Sequence, residues 1–512
     1  MNEARDMPAL QRWFITGSTM LAATMQALDM TIANVALPHI QGAVSATQDE
    51  ISWVLTSYII GAAIATPLTG WLVVRTGRRR IFLFCVAGFT VTSFLCGLSS
   101  TIEELVIFRT LQGACGAALL PMSQLILLDI NPPERHGQAM ALWASGVTLG
   151  PILGPILGGW LTEVYTWRWV FFINIPFGIL AFTGLWTYLS DSQRQKAHYF
   201  DFFGFGSLIL GIGFLQLMLD RGQTKGWFDS TEIWIEAVLG AIFFYLFVIH
   251  TATAKRSFLP RDLLRDRNFV VGTMFGIVVG TMFFSPLALL PAQLQNLMGY
   301  PVITTGMVTA PRGIGMLVAM TIVGRIVNKV DMRIILVAGL LCSAFSLWQM
   351  SQFTLEMGPS LVIWSGVWQG AGIGLLFVPF TTLAFATLEP HLRAEGTAFF
   401  TVFRNIASSA GISLTAAFLS QNTQILHSTL VEHVRPDNPL ARAPFVSDQF
   451  NLDSLQGIAA VNAEVTRQAM MMAYANDYWM LMLMTLCAIP LIVFMRKMPK
   501  HGETDKPMHI VD

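Results

Sequence analysis

About fourteen stretches of mainly apolar residues, each near the twenty that cross a bilayer as an α-helix, divide this chain from end to end. No other feature limits its possible folds as much. In hydrocarbon the backbone must satisfy its own hydrogen bonds, so the stretches have to be helices and the product an all-α polytopic membrane protein. Composition agrees: 12% of residues are charged, about half the share of a soluble chain. The expected spans lie near 12–38, 52–74, 81–98, 104–128, 138–162, 168–189, 203–220, 232–252, 269–290, 303–324, 333–351, 359–386, 395–418 and 475–495.

Loop charge sets the orientation. With a cytoplasmic N-terminus, the loops of that side carry 22 of the 31 Lys and Arg, the opposite loops carry six, and Arg109, Arg312 and Arg404 fall within spans. Both termini are therefore expected inside. A balanced net charge gives no reason to expect nucleic acid. Residues 1–12 mix both signs and no small-residue cleavage site follows the first run, so no cleavable signal peptide is expected. The five cysteines all lie in apolar runs, and no disulfide, metal or cofactor is expected.

A faint repeat runs through the chain. Gly70–Arg75 matches Gly324–Lys329 at an offset of 254, and Gln112-Gly113-Ala114 matches Gln369-Gly370-Ala371 at 257. The repeat divides the chain into a six-helix half over 1–190, two inserted helices with linkers over 191–268, a second half over 269–496 and a tail over 497–512. A long outer segment, 419–474, holds a proline-rich turn region and a stretch, 451–470, that suits a short amphipathic helix.

Asp29 lies near the middle of the first run and is the one acid expected near the centre of a span. Such a charge costs roughly 3 kcal/mol on insertion scales, so it either pairs with another helix structurally or works. Gln26 shares its helical face. In the fourth span Arg109, Gln112, Gly113 and Gly116 form one stripe: a cation and an amide beside bare backbone. Arg109 either faces Asp29 or snorkels to the interface. Asp29 and Arg109 have no charged counterparts near 283–286 or at Gly366, which places the ionic machinery in the first half alone. Gly146, Gly150, Gly154 and Gly158 recur every fourth residue in the fifth span, with Pro151 and Pro155 between them, a surface for close packing or for movement. Gly366, Gly370 and Gly374 form a similar surface in the twelfth span. The turn with Gly70, Arg75, Gly77 and Arg78 is a topology anchor or a gate. Candidate substrate-cavity residues are Gln26, Asn34, Gln112 and Gln124. No nucleophile–base or metal-ligand cluster suggests an enzyme.

These motifs carry a resemblance. Leu28–Pro38 resembles the first-span signature of the fourteen-span drug:proton antiporters of the major facilitator superfamily. Arg109–Gly113 is similar to the fourth-span arginine motif of proton-coupled members, and Gly150–Gly159 to the fifth-span antiporter motif. Trp167–Pro176 completes this resemblance, and the Asp331-Met332-Arg333 turn and the long loop before the last span resemble the EmrB-like branch. Val74 stands where the superfamily's loop usually has an acid, which puts that acid's latching role in doubt here.

The resemblance implies two six-helix halves plus two inserted helices, with a cavity between the halves. It implies export of apolar or cationic toxic compounds, amphipathic small molecules among them, from the inner membrane against inward proton flow, with Asp29 and Arg109 coupling the proton and the glycine motifs moving. It also implies a periplasmic adaptor (a membrane-fusion protein) and an outer-membrane channel as partners. A dedicated metabolite or siderophore exporter, or a non-transporting sensor or assembly protein, are the alternatives.

Overall fold

The structure is a computed structural model that describes residues 7–494 except 47, 133–134, 191–200, 223–224, 255–256, 258, 327–328, 386, 389–391 and 435–453. The expected cytoplasmic tail and most of the proline-rich outer turn lie outside the described residues, as do the side chains of Val74, Pro151 and Pro155. Among the described residues there is no strand. Twelve helices among the described residues are long and apolar enough to cross a membrane. Two further helices, of 36 and 29 residues, occupy the first and fifth expected spans.

The first half comprises α1 (Ala9–Val44), α2 (Gln48–Thr76), α3 (Arg78–Leu98), α4 (Ile102–Gly116), α5 (Leu119–Ile130), α6 (His136–Val164), α7 (Trp169–Phe172) and α8 (Asn174–Tyr188). The fourth expected span is thus two pieces. Pro121, in the first turn of α5, lacks the N–H that would continue the helix across the break. Gln26 Oε1 on α1 accepts the freed Leu120 N–H at 3.1 Å. The inserted helices α9 (Phe202–Gly222) and α10 (Thr231–Thr253) pack on each other, and α9 rests on α2 of one half and a helix of the other.

The second half comprises α11 (Arg261–Arg265), α12 (Arg267–Ala292, ending in a π-helical turn), α13 (Val302–Thr309), α14 (Pro311–Ile326), α15 (Met332–Ser351), α16 (Pro359–Phe385), α17 (Arg393–Val431) and α18 (Leu455–Cys487). Here the expected outer loop is corrected. Helix α17 runs on to Val431 and α18 begins at Leu455, so the short amphipathic helix is the start of the last helix itself. His427 on α17 bonds Asn462 on α18 at 3.0 Å, tying the two extensions together. Apolar content marks where a helix meets lipid, and these polar extensions continue beyond it.

The halves meet where α6 packs on α13, α14 and α16, and where α2 packs on α17. Trp143 and Phe377 bring ring centroids to 5.7 Å across this seam. Gly70 lies in a crevice of the same seam with Pro121, Met122 and Thr397.

Glycines set the closest contacts, and they repeat at the two sequence offsets. In the first half Gly61 lies on the Thr110 backbone and Gly113 on the Tyr58 backbone, so α2 and α4 touch main chain to main chain. In the second half Gly315 lies on the Val367 backbone and Gly370 on that of Arg312, joining α14 to α16. Residues 254 apart and 257 apart are therefore structural equivalents.

The fifth-span glycines seat α6 on α1. Thr24 Oγ1 donates to Gly146 O at 2.9 Å and Thr31 Oγ1 to Gly150 O at 3.3 Å. A Cβ on Gly150 would lie 2.5 Å from Leu28 N, whereas one on Gly17, also in α1, would meet nothing. Gly150→Ala is therefore expected to lower stability by about 1–3 kcal/mol through overpacking against backbone. Gly17→Ala should instead raise stability by up to about 1 kcal/mol. Thermal unfolding of the two purified variants beside the parent protein checks both signs.

Candidate functional site

Asp29, on α1, is 0% exposed, and three side-chain N–H donors from two other helices hold its carboxylate. Arg109 Nη1 on α4 donates to Oδ2 at 2.7 Å. Gln112 Nε2, one turn along, donates to Oδ1 at 3.0 Å. Asn174 Nδ2, at the start of α8, donates to the same oxygen at 2.8 Å.

Arg109 is 1% exposed, which rules out the snorkelling alternative. Its Nη1 also donates to Gln112 Oε1 at 2.9 Å, and its Nε to Val54 O of α2 at 3.1 Å. Its guanidinium lies over Tyr58, 4.3 Å from the ring centroid, and near Phe171 at 5.7 Å. The contact of Gly113 with the Tyr58 backbone brings this ring and the Val54 carbonyl to the arginine. A carboxylate in low dielectric needs this density of donors, because an unpaired one costs far more than the donors lose.

Behind the carboxylate a second layer orients the first. Asn174 Nδ2 also reaches Ser93 Oγ at 3.0 Å, and Ser93 Oγ donates to Phe171 O at 2.9 Å. Cys96 Sγ lies 3.5 Å from Gln112 Oε1. Chemically the assembly is one buried acid and one buried base-partner cation, joined through amides that rotate to donate or accept.

The expected residues divide. Asp29, Arg109 and Gln112 come together, and Gln26 lies beside them, holding the helix break. Gln124 is buried on α5 but makes no hydrogen bond to this cluster. Asn34 is exposed and takes no part in it. In the turn after α2, Gly77 adopts φ 93°, where glycine is needed. Arg75 stacks on Trp71 at 5.0 Å, and Arg78 forms an ion pair with Asp129 of α5. That pair gives Arg78 an acid from the helix above the turn, where Val74 offers none.

Sequence reasoning passed over Asn174, Ser93 and Tyr58 as site residues. The signal for Asn174 was a lone amide in the run Phe171-Phe172-Ile173-Asn174-Ile175. It also took Asp29 as the only central acid. Asp477 on α18 is equally enclosed, and neither of its carboxylate oxygens has a hydrogen-bond partner. Nor are buried charges confined to the first half: Arg312 on α14 is buried, and Arg404 on α17, half-buried, has its Nε enclosed.

Comparison with known proteins follows this geometry. The chain is 34% identical over 504 residues to the multidrug export protein EmrB of Haemophilus influenzae, covering 97% of this chain and 99% of that one. It is 33% identical over 492 residues to the fatty acid resistance protein FarB of Neisseria gonorrhoeae, covering 96% and 97%. It is also 33% identical to EmrB of Escherichia coli K12, covering 94% of each chain. Among solved structures, the proton:xylose symporter XylE superposes with a TM-score of 0.61 over 96% of this chain and 97% of that chain at 13% identity, a likeness of fold. Residues 19–412 match the model of the Major Facilitator Superfamily. A multi-pass helical protein with this repeat, this fold and these relatives belongs to the Major Facilitator Superfamily of membrane transporters.

Proposed function

We propose that this chain is a proton-coupled antiporter that exports amphipathic or toxic small molecules from the inner membrane, with both termini cytoplasmic. The observation that carries the reading is Asp29: fully buried, central in its span, and held by donors from two other helices. The names of its relatives, multidrug export proteins and a fatty acid resistance protein, support export as the direction. The proton gradient supplies the energy, and no cofactor is involved.

Protonation of Asp29 removes the charge that holds Arg109, Gln112 and Asn174 to α1. A carboxylic acid accepts N–H bonds more weakly than a carboxylate does, and its proton takes up one of the lone pairs available to the three donors. Helix α1 then loosens from α4 and α8 while remaining seated on the glycine face of α6. Drug and proton favour opposite-facing states, so the binding of one promotes release of the other. The outer extensions of α17 and α18 expose Ile425 at 62% and Leu455 at 88%. That surface suits docking of a periplasmic adaptor, which would pass the drug to an outer-membrane channel.

Three outcomes follow. Asp29→Asn should abolish drug-induced proton movement in proteoliposomes while the protein still inserts; coupling at the parent level would remove Asp29 from the mechanism. Arg109→Ala should lower stability by about 3–5 kcal/mol, because it leaves a buried charge alone. Adding Asp29→Asn to it should recover part of that loss in thermal unfolding. Replacing 425–468 with a short Gly/Ser linker should spare transport into vesicles but lower whole-cell resistance and adaptor co-purification. If both of the latter stay at the parent level, the extensions are not the docking site.

A further inference from the structure

The glycine contacts allow the two halves to be compared residue by residue. At an offset of 254, Asp29 falls on Phe283 and Tyr58 on Arg312; at 257, Arg109 falls on Gly366 and Gln112 on Gln369. In the first half a cation from α4 lies over a ring on α2 and meets the acid of α1. In the second half the cation comes from the other helix of the pair. Arg312 lies over the ring of Phe283, 5.1 Å from its centroid, and donates from Nη2 to Phe283 O at 3.3 Å. The Arg312 backbone and Cβ run along Gly366 and Gly370, where no side chain intervenes.

The second half thus has comparable donors, while its own enclosed acid, Asp477 on α18, makes no hydrogen bond or ion pair to them. Gln112 gives its N–H to Asp29. Its equivalent, Gln369, is 1% exposed, and neither its nitrogen nor its oxygen has a hydrogen-bond partner. Arg312 Nε is also buried without a partner. A second cation packs on the same helix, α12, at Gly280. The Arg404 side chain on α17 passes 3.6 Å from a Cβ position on Gly280, one turn before Phe283 on the same face of α12. Arg404 Nε is buried and unpartnered as well. Among the described residues no acid lies within ion-pair distance of either arginine. A buried charge without a counter-ion is costly enough that it is kept paired or put to use.

We propose that this is an anion-binding site. The carboxylate of an amphipathic organic acid takes, between Arg312 and Gln369, the place that the Asp29 carboxylate takes between Arg109 and Gln112. Phe283 offers its ring to the apolar body of the ligand. The site deepens the export reading, on which it rests, by naming a substrate class: molecules with an apolar body and one acidic group. Arginine suits this task because its planar fork matches a carboxylate.

The test uses the full-length protein in a maltoside micelle and titrates it by calorimetry with two probes. These are 1-naphthaleneacetate and 1-naphthaleneacetamide, the same body with and without the charge. The parent protein should bind the acid at least about tenfold more tightly, the scale of one charge-assisted hydrogen bond. Arg312→Gln should bring the two probes to equal affinity, Arg312→Lys should keep part of the preference, and Gln369→Leu should reduce it. Equal affinities in the parent protein, or no binding of the acid by it, overturn the proposal, as does a folded Arg312→Gln protein with the preference intact. If Arg312→Gln does not fold, the parent pair and Gln369→Leu decide. The measurement needs neither transport nor a proton gradient, so its failure is distinct from loss of coupling in the vesicle assay.

Discussion

A full charge placed where water cannot reach must be answered by the protein itself, and this constraint organises the first half of the chain. The Asp29 carboxylate is answered from α4 and α8, and its partner Arg109 is answered in turn by a carbonyl and a ring of α2. Four helices are held in one register by a group of a few atoms. The hydrogen bonds work only if the backbones come close, and Gly113 against Tyr58 is what lets α2 and α4 do so. The ion pair and the glycines are in that sense one device. A buried pair is a poor source of net stability, since desolvation offsets most of the attraction. Well-packed apolar residues would hold four helices together at least as firmly. What they would not give is an interaction that a single proton can switch off.

The membrane architecture was legible because lipid imposes it: twenty apolar residues have almost one structural meaning, and loop arginines another. Within a span, groups on one helix face were legible from spacing alone, as with Arg109, Gln112 and Gly113. The partners across the bundle were not. Nothing local in Asn174, Ser93 or Tyr58 says that each faces Asp29 or Arg109, because that depends on how helices far apart in sequence are rotated. Asn34 failed for the same reason, being five residues beyond Asp29 and so on another side of the helix. The break after Gly116 and the outer extensions of α17 and α18 failed differently. Hydropathy sees neither an interruption inside an apolar run nor a helix that continues into polar sequence.

The repeat shows which property of the chain is held and which is free. Between the halves the glycine contacts recur at matching positions, while the side chains over them differ in size and charge. This is the expected outcome when backbone-to-backbone packing sets the geometry: any side chain that does not point into the contact can change without moving the helices. The first half can therefore carry an acid on α1 and its cation on α4. The second can carry Phe283 at the acid's place and a cation on the helix opposite, with the same approach of helices beneath both. The two halves differ in how their buried cations are answered: Arg109 by an acid of its own half, Arg312 by the ring and carbonyl of Phe283.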